Sequence, residues 1–197
     1  EIRTYQIVAE GMAALPKWQM KPENIGVLFG HGIHNFDAIR ALTGQEITNV
    51  FAKCRSLSGA PVEGTSDVLL TMSDGSVHYL FCSFELRKPG FPRSEVGTRI
   101  ACEGGLIDID AYRETRISID GAPWETLAVQ PPIDWAGKGF LDVNRLQGFA
   151  GIVQDLVDSI REDRAPAITG WDGRQAVAAA LAAYESSQTG REVLLNA

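Results

Sequence analysis

His31, His34 and Asp37 recur at intervals of three in the stretch Gly30-His31-Gly32-Ile33-His34-Asn35-Phe36-Asp37, which gathers two of the chain's three histidines. An imidazole ionises near neutrality, so a histidine at the mouth of a helix beside a carboxylate suits proton transfer. Three chemistries compete for these residues. In one, His34 trades a proton with a substrate hydroxyl or carbonyl. In another, His31, His34 and Asp37 share a helix face and hold a metal ion for hydrolysis. No further histidine cluster or carboxylate pair supplies the remaining ligands, so the expectation is no metal site. In the third, the group is structural: one histidine caps the turn, and Asp37 pairs with Arg40 or Arg93.

The run Gly30-His31-Gly32-Ile33-His34-Asn35 is one glycine short of Gly-x-Gly-x-x-Gly. A dinucleotide cradle needs a strand, this turn, a helix and a parallel strand, with an acidic residue about 20 positions on. The segments after this helix read as an antiparallel meander, so no cofactor site is expected in this chain alone. Neither Gly-x-Ser-x-Gly, a phosphate-loop lysine nor a cysteine–histidine pair with nucleophile logic occurs. The loop Arg87-Lys88-Pro89-Gly90 with Arg93 is basic and can touch an anionic or hydroxylated ligand. His78 lies within an apolar strand and reads as a packed residue.

The elements that must position these groups alternate in period. Residues 1–10 read as a strand, followed by a loop from Gly11 to about Glu23 that carries Lys17, Trp18 and Lys21. A helix spans about Ile33 to Thr43, with Phe36, Ile39 and Leu42 as its core stripe and Gly44 at its C-terminal cap. Ile47–Leu57, Asp67–Met72 and Val77–Leu86 are β-rich, and Ser73-Asp74-Gly75-Ser76 joins the last two as a hairpin. Thr98–Cys102 and Leu106–Asp110 flank Glu103-Gly104-Gly105; Tyr112–Ile119 and Trp124–Val129 flank Asp120-Gly121. Antiparallel pairing is expected throughout. In the strand from Val77, apolar side chains point both ways: Val77, Tyr79 and Phe81 to one face, Leu80, Cys82, Phe84 and Leu86 to the other. A strand apolar on both faces must be covered on both. Helices packed together cover one face only, so a second copy is expected on the other.

Residues 130–144 show no period and read as a connecting loop. A helix over about 145–163 spaces Leu146, Phe149, Ile152, Val153, Leu156 and Ile160 on one stripe. The last helix opens at Thr169, with Asp172 favouring its positive end, and buries Ala176, Val177, Ala180, Leu181 and Tyr184. Gly190 stops it, and Val193-Leu194-Leu195 adds a short strand.

With 197 residues the chain suffices for one domain with a substantial core. Its net charge of −7 argues against nucleic acid. No apolar run approaches the ~20 residues of a membrane span, and no charged-then-apolar leader is present. Cys54, Cys82 and Cys102 lack any Cys-x-x-Cys spacing and read as buried free thiols, which fits a cytoplasmic protein.

Three segments, in order, resemble one family. The His-x-x-Asp helix from Gly30 to Gly44 is similar to the helix that opens the C-terminal domain core of the Gfo/Idh/MocA oxidoreductases. Arg99-Ile100-Ala101-Cys102-Glu103-Gly104-Gly105-Leu106-Ile107 resembles that family's strand–Gly–strand turn. Pro166 to Ala176, continuing through Ser186 and Gly190 to Leu195, resembles its closing helix and tail. The resemblance implies an α+β fold, a dihydrodipicolinate-reductase-like C-terminal domain with an open-faced, mostly antiparallel sheet and helices on one face. It further implies that residues 1–197 form one substrate-binding and oligomerisation domain, with an N-terminal Rossmann domain for NAD or NADP absent from the chain. The implied substrate is polyhydroxylated: a sugar, polyol or cyclitol oxidised at a carbinol carbon. His34 maps onto the family's acid–base histidine. Asn35 and Asp37 shape the helix mouth, and His31, Lys17, Trp18, Arg87 and Lys88 are the other expected substrate contacts. Family members often carry Asp four residues before that histidine. Here Gly30 stands there, and His31 can replace the polarity of an Asp but not its charge. By itself the domain is expected to be inactive. A non-catalytic oligomerising scaffold and the metal-dependent hydrolase are the alternatives.

Overall fold

Alternating strands and Gly-bearing turns build one sheet, and helices cover part of it. The computed structural model describes residues 2–7, 17–21, 26–86 and 96–195. In chain order these give β1 (Ile2–Ile7), α1 (Ile33–Thr43), β2 (Ile47–Arg55), β3 (Thr65–Met72), β4 (Val77–Ser83), β5 (Val96–Cys102), β6 (Gly105–Asp110), β7 (Glu114–Ile119), β8 (Glu125–Val129), α2 (Val143–Glu162), α3 (Gly170–Thr189) and β9 (Val193–Leu194). The strands form one sheet in the order β8-β7-β6-β5-β1-β4-β3-β2-β9. The fold is α+β, as expected.

One pairing departs from expectation. β1 lies between β4 and β5, parallel to the first and antiparallel to the second. Those two strands run in opposite directions, so a strand inserted between them must be parallel to one. The other pairs are antiparallel. The β7–β8 hairpin turns through Asp120 and Gly121, whose φ angles of 49° and 76° are both left-handed, the signature of a tight hairpin turn.

The core lies between β2–β4 and the pair α1 and α3. Val50, Ala52, Val68, Leu70, Leu80 and Cys82 meet Phe36, Ile39 and a row of alanines, Ala176, Ala179, Ala180, Ala182 and Ala183. Small side chains let α3 lie close against β2. Two expected core residues point outward instead: Leu42 is 54% exposed and Leu181 is 57% exposed. On α1 the buried position next to Ile39 is Arg40 rather than Leu42. On α3 the alanine face turns Leu181 to solvent.

Arg40 is buried because carboxylates surround it. Its fork donates to Glu46 at 2.7 and 2.8 Å and to Asp172 at 3.2 Å. The expected Asp37–Arg40 pair therefore does not form. Asp172 closes a capping box with Thr169 at the start of α3. Hydrogen bonds from Thr169, then from Arg40, hold its carboxyl at about 2. The same guanidinium holds Glu46 below its usual range. One ion cluster thus pins the C-terminal end of α1 to the N-terminal end of α3.

β2 is nearly an edge strand, since β9 pairs only with Asn49 and Val50. Its next free amides find hydroxyls: Ala52 N–H donates to Ser186 Oγ at 3.0 Å and Cys54 N–H to Ser187 Oγ at 2.8 Å. α2 is different. Its apolar stripe stays exposed, from Leu146 at 40% to Ile160 at 74%. Of the cysteines, Cys82 is buried and Cys54 half-buried, but Cys102 is exposed beside the β5–β6 turn, against the expectation of three buried thiols. Burial lowers the His78 pKa to about 4, in keeping with its reading as a packed residue.

Replacing Arg40 by alanine strands two carboxylates beside the core. Urea unfolding should report a loss of about 1–3 kcal/mol near neutral pH, since the partners are partly exposed. Arg40→Lys should recover only part of it, because an ammonium cannot form the fork. The difference from wild type should close in acid. Carboxylates with lowered pKa values stabilise the fold above their ordinary range and lose that effect as pH falls through the folded value, about 2 for Asp172.

Candidate active site

The histidine helix begins earlier than the glycines suggest. Val27 is already helical, Leu28–Gly32 forms a π turn, and α1 continues from Ile33. His31 therefore lies inside a helical turn rather than ahead of it. A side chain at Gly32 would place its Cβ 2.8 Å from Leu28 Cδ1, so the wide turn closes tightly upon itself. Such π turns are rare and often occur at functional sites.

This first turn is held from beneath. Glu63 takes Val27 N–H on its backbone oxygen at 3.1 Å and Leu28 N–H on its carboxylate at 3.0 Å. Tyr184 of α3 donates its hydroxyl to the same carboxylate oxygen at 2.7 Å. A Cβ on Gly26 would stand 2.1 Å from Glu63, so glycine is required there. On the sheet side, Cys82 Sγ lies 3.7 Å from the Val27 carbonyl.

The expected site residues divide by exposure. His34 is exposed, His31 and Asp37 half-buried, and Asn35 buried. The His31 ring meets Phe84 edge-on, with centroids 4.5 Å apart. Its Nδ1 is buried without a hydrogen-bond partner among the described residues. Burial lowers the His31 pKa, and the charge of His34 lowers it further. The two imidazoles thus sense each other, and His31 favours its neutral form. Lys17 and Trp18 lie in a turn over residues 17–20, both exposed. The turn comes near the helix through Gln19, whose Nε2 would be 3.5 Å from a Cβ on Gly30. Position 30 accordingly has room for a side chain. Arg87, Lys88 and Arg93 lie outside the described residues.

Spacing does not mark Glu63, Tyr184, Phe84 or Gln19 as site residues. Glu63 stands alone in a loop, with no local motif. Tyr184 carries a usable signal, because a tyrosine among buried alanines needs a partner for its hydroxyl.

Among the described residues, no group of three His, Cys, Asp or Glu could hold a metal ion. The glycines of the π turn do not form a dinucleotide cradle either. The first of them lies within a helix whose amides turn inward to Glu63, and the next strands pair antiparallel.

Comparison with known proteins places this arrangement. Residues 1–108 match the family described as the GFO/IDH/MocA C-terminal domain. The chain belongs to this family. Its fold recurs in solved structures. An oxidoreductase from Agrobacterium radiobacter, in complex with NAD+, L-tartaric acid and magnesium, aligns with a TM-score of 0.78 at 18% identity, over 98% of this chain and 56% of that one. Aldose-aldose oxidoreductase from Caulobacter crescentus, complexed with glycerol, aligns with a TM-score of 0.75 at 21% identity, over 98% and 55%. GenD2 from gentamicin A biosynthesis, in complex with NAD, aligns with a TM-score of 0.74 at 23% identity, over 100% and 55%. The chain thus spans about half the length of these structures. No curated protein matches it in sequence. No helix of the described residues is long and apolar enough to cross a membrane.

The coupling of the two histidines can be measured. By NMR titration, His31 should titrate below free histidine, and His34→Ala should raise its pKa toward the ordinary 6.5. A histidine whose folded pKa is lowered binds its proton first in the unfolded chain. Stability should therefore fall as pH drops below about 6.5, by less in the His34→Ala variant.

Proposed function

We propose that this domain is the substrate-binding half of an NAD(P)-dependent oxidoreductase, acting on a sugar, polyol or cyclitol at a carbinol carbon. One observation carries the reading. An exposed histidine stands on a helix whose inward side is locked to the core, in a domain of an oxidoreductase family. His34 moves the hydroxyl proton to or from the substrate oxygen. Neutral His31 backs it one turn earlier, Asp37 borders it, and Lys17 and Trp18 offer a cation and an aromatic face from the neighbouring turn. Arg87 and Lys88 belong to the same set of expected contacts. Asn35 shapes the helix mouth from a buried position. Residues 1–197 function as one domain. Hydride exchange belongs to NAD or NADP on a dinucleotide-binding domain of the same polypeptide, a reading supported by the solved structures in complex with NAD, of which this chain spans about half. The proposed setting is the cytoplasm.

In the polypeptide that joins this domain to a dinucleotide-binding one, His34→Ala should lower turnover roughly 10²–10⁴-fold at unchanged folding. Undiminished turnover would instead favour the scaffold reading.

The open sheet face supports a second part of the proposal, a homo-oligomer. Phe51, Leu69 and Val77 lie opposite the helices and are 37%, 45% and 38% exposed, with half-buried Tyr79 and Phe81 between them. Sedimentation should show the wild type as an oligomer and Phe51→Glu with Leu69→Lys as a folded monomer. An unchanged sedimentation coefficient would rule this face out.

A further inference from the structure

A proton-transfer histidine must be held still, and the anchor of its helix can be traced residue by residue. The helix starts at Val27, and the N–H groups of a first helical turn need acceptors from outside their own helix. The first two of these donors go to Glu63. Val27 N–H reaches the Glu63 carbonyl at 3.1 Å, and Leu28 N–H reaches Glu63 Oε1 at 3.0 Å. Tyr184 of α3 donates its hydroxyl to the same Glu63 Oε1 at 2.7 Å and holds that carboxylate in place. Gly30 N–H, the fourth, returns to the Gly26 carbonyl at 3.1 Å. Glu63, from a loop and itself held by Tyr184 of α3, thus stands in for a preceding turn of a helix that carries His31 and His34 within its next seven residues.

We propose that Glu63 and Tyr184 are positioning residues for His34. They fix the angle and register of the π turn, so that His31 packs on Phe84 and His34 projects outward. This role rests on the acid–base reading of His34 but reaches beyond it, to residues remote from the substrate. The geometry supports a positioning role over simple core packing. Glu63 gives both its carbonyl and a carboxylate oxygen to this one turn, Tyr184 spends its hydroxyl on that same carboxylate oxygen, and Gly26 is kept bare to admit Glu63. Tyr184 is well suited, because burial and the adjacent carboxylate raise its pKa and keep its hydroxyl protonated as a donor.

The test pairs two readouts. In the 197-residue chain, hydrogen exchange should show the Val27 and Leu28 amides protected like core strands. In Tyr184→Phe the Leu28 amide should exchange about tenfold faster, and the ring signals of His31 and His34 should shift. In the polypeptide with its dinucleotide-binding domain, Tyr184→Phe should lower kcat about tenfold while KM changes by less than about twofold. Glu63→Gln, which keeps an acceptor oxygen, should retain most of kcat, whereas Glu63→Ala should not. Wild-type amides that exchange like a frayed terminus would overturn the proposal. So would a folded Tyr184→Phe variant with native histidine spectra and native kcat. If His34→Ala retains full turnover, the acid–base reading fails, and the exchange and histidine spectra alone still decide whether Glu63 and Tyr184 position the helix.

Discussion

A helix that begins inside a protein brings backbone N–H groups that no earlier turn can accept, and each one buried without a partner costs about 1–3 kcal/mol. That constraint shapes much of this molecule. The helix of His31 and His34 starts at Val27 against the sheet, where Val27 and Leu28 are almost fully buried. Its first two amides are met by Glu63, from a loop, whose carboxylate Tyr184 of α3 holds. The loop is itself fixed by a second carboxylate. Glu85 accepts the amides of Leu57 and Ser58 and the hydroxyls of Ser58 and Thr65. Two acidic residues in turn hold the segment between β2 and β3 and, through it, the start of the histidine helix.

α3 is the element that makes this possible. Its alanine face brings its backbone close to β2 and α1, and its polar residues then reach three different partners. Asp172 holds Arg40 at one end of α1. Tyr184 reaches Glu63, which meets the first amides of the histidine helix. Ser186 and Ser187 take the free amides of β2, where an exposed strand edge would otherwise invite pairing with another chain. Larger side chains in place of Ala179 or Ala183 would push the helix away and lengthen all of these bonds together, so the small residues and the polar ones work as a set.

The strands and helices are legible in the sequence because each has a strong period or a strong turn. Ser73–Ser76, Asp120-Gly121, Thr169 with Asp172, and the glycines at 44 and 190 mark ends that local chemistry decides. The features that stay hidden depend on partners distant in sequence. The parallel β1–β4 pair depends on which gap the first strand enters, and no local pattern records that. Helical spacing pairs Arg40 with Asp37, its neighbour, yet Asp172 captures it from 132 positions away. For α2, the periodicity is right about an amphipathic helix but carries no information about what meets its apolar side. At the site, His31 and His34 stand out by residue type. Glu63 does not, since its role exists only once the chain has folded around it.

The same division between a fixed side and a free side recurs at two scales. On the histidine helix, Phe36 and Ile39 are buried while His34 faces solvent. On the sheet, Leu80 and Cys82 face the helices while Val77 and Leu69 face away. The helix lies on the covered side, because His31 packs on Phe84 and the Val27 carbonyl meets Cys82. The two free surfaces therefore point in different directions. A second copy seated on Phe51, Leu69 and Val77 leaves the side of the sheet that carries His34 clear. The proposed oligomer interface and the proposed proton-transfer site are thus compatible in a domain of this size, because the sheet separates the exposed apolar surface from the exposed imidazole of His34.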